Sequence, residues 1–295
     1  RLMRASCLAQ SRDYSVFREG LYRCREYLSL LIDACYPEKE ASVMGAMLLG
    51  EKAMLDEGIK SLYQQNGIIH ILAISGLHIS ILGMGFHKLL RRLCITNSVN
   101  IILSLALMYC YGMMTGMGIS VVRAFVMFGM KLCADLCGRT YDLLTAMTTA
   151  AFLILVEQPL YLTQSGFLFS FGAVCGIGFL PSVSRQFPVL SDRFPVGNRF
   201  LQALFAGVWI SLCTLPVYLC FYYEFPPYSV LLNLIVIPCM GALFLSGILV
   251  MGAAACFLPL GRLAAVPGVC ILGCYEKLCN FCVKLPGQRW ITGRP

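Results

Sequence analysis

Charge is what this 295-residue chain has least of. Asp, Glu, Lys and Arg make up 13% of it, where a soluble domain carries about 25%. There are fifteen carboxylates and three histidines. They form no HExxH motif and no acidic cluster, which argues against a metalloenzyme. GxxxxGK[ST] is absent, so the chain holds no P-loop motor, and any uphill movement it supports draws its energy from elsewhere. The GxSxG nucleophile elbow is absent as well. The sequence starts at Arg1 without a signal-peptide pattern and reads as a piece of a longer protein. Internal repeats and low-complexity segments are also missing. No catalytic residue, metal or cofactor is expected.

Apolar residues take up the space that charge leaves. They account for 58% of the chain, at a mean hydropathy of +0.75. Since a spanning helix needs roughly 20 mostly apolar residues, several runs qualify, near 68–90, 98–117, 119–137, 141–157, 164–181 and 200–221. A stretch at 228–258, interrupted by Pro238, reads as one kinked helix or a re-entrant pair, and a last run follows at 263–285. Most of the sixteen cysteines lie inside these runs, where they act as small hydrophobes. Cys279 and Cys282 form a CxxC without a second pair at zinc-site spacing. The expected fold is an all-α polytopic membrane bundle of about seven to nine spanning or re-entrant helices, with N-terminal amphipathic helices on its outer face. Its expected parts are a helical segment at 1–66, a membrane domain at 67–285 and a C-terminal stub at 286–295 leading to a missing domain.

Within 1–66, Met44, Leu48, Leu55, Ile59 and Leu62 recur at helical steps, with Glu51, Lys52, Asp56 and Glu57 between them. Pro37 breaks the segment, and Glu38 and Glu40 suit a following first turn. This part lies on the membrane surface or packs against the bundle.

The cations have a side. Residues 1–66 hold nine Lys/Arg and nine Asp/Glu, and 67–295 hold fourteen and six, so the net +8 belongs to the membrane part. If each run crosses once, Lys88, Arg91, Arg92, Arg139, Arg185, Arg193 and Arg199 all fall at one face. The opposite loops, 115–118, 157–164 and 222–228, hold no Lys or Arg. The positive-inside rule makes the cationic face cytoplasmic and puts 1–66 outside. A polyanion path would ask for the same charge excess.

The segment 70–80, HILAISGLHIS, sets two histidines and two serines into an apolar run. Polar groups at that depth serve a pathway or a packing contact. On a continuous helix Ser75 and His78 share a face, flanked by His70, while Gly76 allows close approach or a break. A Ser–His pair could suggest a nucleophile, but no orienting acid accompanies it. Arg123 and Lys131 either snorkel or face a wet path. Gly172-x-x-x-Gly176 and Gly112-x-x-x-Gly116 have small-residue packing spacing. The aromatics Tyr109, Tyr111, Phe167, Phe169 and Phe171 are core, lipid-facing or stacking residues.

These motifs fall into a series: Gly45–Gly50 (GAMLLG), the segment from Gly67 to Ile79, Arg123-Ala-Phe-Val-Met127, Gly138-Arg139, Pro159-Leu160, Gly166-Phe-Leu-Phe-Ser170-Phe171 and Asn233-Leu-Ile-Val-Ile-Pro238. In order and spacing the series resembles the membrane competence domain of the ComEC family, over roughly residues 40–250. The resemblance implies a bacterial inner-membrane channel that imports single-stranded DNA during natural transformation. It implies a path lined by His70, Ser75, Gly76, His78, Arg123 and Asn233, with Gly50, Gly166, Ser170 and Pro238 as structural positions. The implied partners are single-stranded DNA and membrane lipids, with an extracellular DNA receptor, a cytoplasmic helicase or motor and a second copy of the chain as further candidates. Leu168 stands where the family pattern has Gln. The OB-like and metallo-β-lactamase-like domains that flank this region in the family are not in the chain, so nuclease activity is not expected of it. The other reading is a small-solute or lipid-linked transporter with a mid-membrane pocket.

Overall fold

The computed structural model describes residues 15–72, 74–184, 197–287, 290, 291 and 293. Helix α1 (Val16–Cys35) starts on Ser15, whose hydroxyl accepts the Arg18 N–H. Pro37 precedes α2 (Glu38–Leu49), with Glu38 and Glu40 in its first turn as expected. A 3-10 turn (Lys52–Met54), α3 (Glu57–Gln65) and a second 3-10 turn (Ile69–Leu72) lead to α4 (Gly76–Arg92). Then follow α5 (Asn97–Met114), α6 (Ile119–Leu136), α7 (Leu143–Glu157), a 3-10 turn (Pro159–Thr163), α8 (Ser165–Ser184) and α9 (Gly197–Tyr222). The last elements are β1 (Glu224–Phe225), α10 (Ser229–Cys256), α11 (Leu258–Val283) and β2 (Trp290–Ile291). The chain is an all-α membrane bundle, and its described β structure is one antiparallel two-residue ladder.

Among the described residues five helices, α5, α8, α9, α10 and α11, are long and apolar enough to cross a membrane. The three others in the apolar region are shorter or charged. α4 has 17 residues, α7 has 15, and the 18-residue α6 carries Arg123, Lys131 and Asp135. The stretch around Pro238 is one helix and not a re-entrant pair. At 28 residues and a rise of 1.5 Å each, α10 is about 42 Å long, well beyond the ~30 Å hydrocarbon core. It turns at Phe257 and packs along α11, where the Tyr275 hydroxyl donates to the Val236 carbonyl (2.9 Å).

The ladder bears on topology. It sets Trp290–Ile291 beside Glu224–Phe225, and the Tyr228 hydroxyl donates to the Pro286 carbonyl (2.8 Å). The chain after α11 therefore returns to the cation-poor end, opposite the Phe257 turn. At the cationic end, Asp142 caps α7. Hydrogen bonds from the Thr145 hydroxyl and N–H hold its carboxyl below the usual range. Arg185 and Arg193 lie outside the described residues.

Three apolar clusters build the core. The largest joins α1, α2, α10, α11 and the 3-10 turn before α4, through residues such as Met44, Leu48, Phe244, Val250 and Tyr275. A second joins α4, α5 and α6 through Ile79, Met108 and Phe128, and a third joins α7 and α8 through Ala150, Ile154 and Phe167. Of the two placements open to the N-terminal segment, α2 takes the packed one. Every residue from Val43 to Leu49 is buried. The helical period from Met44 to Leu62 does not run through one helix, because Gly50 ends α2 in the left-handed region (φ 74°). A Cβ on Gly50 would lie 3.0 Å from the Thr115 carbonyl oxygen, and the Tyr111 hydroxyl donates to the Leu48 carbonyl nearby (2.9 Å). Between α4 and α5, Asn100 Nδ2 donates to the His87 carbonyl (3.1 Å) while its Oδ1 accepts from the Ser104 hydroxyl (3.2 Å), a buried polar contact.

Gly50→Val should destabilise the bundle by about 1–3 kcal/mol, from left-handed strain plus the approach to Thr115. Thermal unfolding in detergent checks this, and an unchanged midpoint would refute the assigned role of Gly50.

Candidate functional site

The segment expected to be one helix over 68–90 is broken. The 3-10 turn ends at Leu72, Ser75 has extended backbone (φ −103°, ψ 163°), and α4 begins only at Gly76. Ser75 is thus the N-cap of α4, not a helical residue sharing a face with His78. The physical reason is the first turn of a helix, which leaves N–H groups without intrahelical partners. His78 supplies one: the Ser75 N–H donates to His78 Nδ1 (3.2 Å). The imidazole is 0% exposed and lies on the Phe244 ring at 4.6 Å and 17°. Its Nε2 and the Ser75 Oγ are both buried without a hydrogen-bond partner.

Arg123 meets this break from α6. It neither snorkels nor reaches a carboxylate: the residue is 7% exposed, and the described ion pairs lie elsewhere. Its Nη1 donates to the Ser170 carbonyl on α8 (3.1 Å), its guanidinium carbon lies 5.7 Å from the centre of the Phe171 ring, and its Nε has no partner. Gly76 makes room for it, since a Cβ there would stand 3.3 Å from Arg123 Nη2. Ser75, Gly76, His78, Arg123 and Ser170 therefore come together at one place. Ser170 takes part through its backbone, which no side-chain motif announces.

Helix geometry gives its depth. His78 is fourteen residues from Arg92 in α4, Phe244 twelve from Cys256 in α10, and Arg123 thirteen from Leu136 in α6. At 1.5 Å per residue each gives roughly 18–21 Å from the cationic end. The three helices agree in placing the cluster nearer the cation-poor end, and Arg123 itself is four residues from Ile119 at the start of α6, about 6 Å along the helix.

Other expected residues stay apart. His70 is exposed on the 3-10 turn. Asn233 lies on α10 eleven residues before Phe244, about 16 Å along the helix, with its Oδ1 buried and unpartnered. Pro238 and Gly166 are exposed, and a Cβ on Gly166 would meet nothing within 4 Å. Lys131 pairs with Asp135 (3.6 Å) and sits over the Tyr141 ring. Gly172 and Gly176 do pack α8 on α9, where Trp209 Nε1 donates to the Gly176 carbonyl (3.0 Å). Gly116 instead occupies a turn at φ 93° with open space around it. One contributor left no signal in the sequence: Phe244 is one apolar residue in a uniformly apolar helix, whereas Phe171 already stood among the core, lipid-facing or stacking aromatics.

His78→Phe keeps a ring against Phe244 and deletes the acceptor. It should leave the Ser75 N–H unsatisfied and lower stability by about 1–3 kcal/mol, measured by denaturant titration in detergent. A neutral effect would show that the His78 bond does not hold the break.

A family model described as "Competence protein" matches residues 47–295. "ComE operon protein 3" of Bacillus subtilis (strain 168) is 28% identical over 251 residues, covering 84% of this chain and 31% of that protein. "Recombination protein 2" of Haemophilus influenzae (strain ATCC 51907 / DSM 11121 / KW20 / Rd) is 29% identical over 145 residues, covering 44% of this chain and 17% of that protein. The chain thus spans under a third of either relative's length. No solved structure matches it.

Proposed function

This chain belongs to the competence protein family, and we propose that its bundle passes single-stranded DNA across the bacterial inner membrane, from the cation-poor outer face to the cation-rich cytoplasmic face. The observation that carries the proposal is the buried guanidinium of Arg123, without a carboxylate partner among the described residues, beside the broken start of α4. A helix N-terminus carries partial positive charge. Two positive groups facing each other inside a bundle disfavour the empty site and favour an anion, and a DNA strand brings one anion per nucleotide. In this reading Ser75, Gly76, His78 and Arg123 form the narrow part of the path. His70 and Asn233 stand on its outer half, and Gly50 and Ser170 hold the backbone around it. A DNA receptor outside, a helicase or motor inside and a second copy of the chain are partners this reading would accommodate. The other reading, a transporter with a closed mid-depth pocket, has less support, because Gly76 packs directly on Arg123 and His78 on Phe244.

The test uses a chimaera in which this chain replaces the matched segment of the Bacillus subtilis relative. Arg123→Leu should lower transformation at least ten-fold at equal expression, and Arg123→Lys should restore part of it. Undiminished transformation with Arg123→Leu would overturn the path assignment.

Sidedness has its own measurement. Cys94 and Cys137 are exposed next to the cationic ends of α4 and α6. Chains keeping only one of them should react with an impermeant maleimide from the cytoplasmic side alone. Labelling from outside intact cells would invert the topology.

A further inference from the structure

We propose that the groove between α3 and the outer end of α9 docks unpaired nucleobases, by stacking rather than by charge. The proposal rests on the DNA-passage reading and adds a site to it. The groove is a cavity of about 320 Å³ at the cation-poor end, within the range of roughly 300–1,000 Å³ typical of small-ligand sites.

One wall is aromatic. Tyr218 and Tyr222 stand four apart on α9, so their rings share a helix face, with centroids 5.0 Å apart. Phe169 of α8 lies against both, at 5.7 Å and 6.0 Å, and Phe225 meets Tyr218 edge-on at 6.3 Å. Both tyrosines are only half-buried. Rings held by neighbours yet open to a cavity form a platform for a flat, sequence-independent partner, because every base has a π face.

The facing wall is polar and nearly neutral. Gln64 and Gln65 of α3 line it; Gln65 Nε2 donates to Ser61 Oγ (3.0 Å), and the Gln64 amide offers a donor and an acceptor to a base edge. Lys60 lies 3.6 Å from Glu57, so the two charges in the lining cancel. That composition suits bases better than phosphates. It also differs from an interfacial aromatic belt, whose rings sit at the headgroup level and not across from paired amides.

The groove connects to the buried cluster through the chain itself. Pro226, part of the lining, packs on Gly67, where a Cβ would stand 2.8 Å from Pro226 Cγ. Gly67 begins the segment that ends at Ser75. A base docked here is at the head of the chain segment whose other end meets Arg123.

The experiment titrates the chain in lipid nanodiscs with fluorescent oligo-dT, an abasic phosphodiester of equal length and an aromatic peptide, read by anisotropy. Oligo-dT should bind with a salt slope no steeper than about −0.7, the value for one phosphate contact on a single strand. The Tyr218→Leu/Tyr222→Leu double variant should weaken it about five-fold or more, and the corresponding double Phe variant should not. The abasic strand should bind more weakly and ignore the substitutions. Equal binding of abasic strand and oligo-dT, preferential binding of the peptide, or unchanged oligo-dT affinity in a double variant of native helicity would each overturn the proposal. The two readings fail separately. Arg123→Leu should leave groove binding intact, so normal transformation with that variant sinks passage alone, whereas normal oligo-dT binding by the tyrosine variant sinks the groove alone.

Discussion

The guanidinium of Arg123 sits where α4, α6 and α8 meet, and each helix is shaped around it. A buried cation is costly, and this one has no carboxylate partner among the described residues to offset that cost. Its compensation is piecemeal: one backbone carbonyl at Ser170, the face of Phe171 and the absence of a side chain at Gly76. The partnerless Nε shows that compensation is incomplete. A bundle selected only for stability would do better with an apolar residue of similar volume, and the proposed path gives the cation a reason to be there.

The break before α4 imposes a second demand. Irregular backbone at membrane depth is tolerated only where protein buries it or water reaches it. Here burial is done from several directions. His78 turns back to accept the Ser75 N–H, Phe244 fixes the imidazole plane, and α10 is itself held by α2, whose Met44 and Leu48 fill the space left by Gly247. The N-terminal segment is thus part of the structure that holds the site and not an accessory on its surface.

How much was legible follows from the kind of signal each feature leaves. Apolar runs between cation-bearing loops are one-dimensional, and they located the helices of the membrane part. Gly76 next to Ser75 signalled a break or a close contact, and it makes both. Pro37 and the two glutamates after it marked the start of α2. Legibility ended where partners are distant in the chain. Met44–Leu62 kept a helical period across Gly50, so nothing one-dimensional separated α2 from α3. Whether 228–258 doubled back depended on whether α11 ran alongside it. Tyr218 and Tyr222 carry no mark in the sequence, because the groove they line is completed by α3, far away in the chain.

What the sequence alone determined is the class: a helical membrane bundle whose inter-helix loops in the membrane part carry their cations on one side, with the series of motifs of the competence family. Those properties depend on hydropathy, loop charge and local backbone chemistry, which neighbours along the chain specify. Only the tertiary structure decided that Arg123 bonds a carbonyl forty-seven residues away, that Phe244 backs His78, and that α2 is core. A backbone carbonyl carries no residue identity, and a phenylalanine in an apolar helix has no marked face. Their roles exist only once other helices are packed against them.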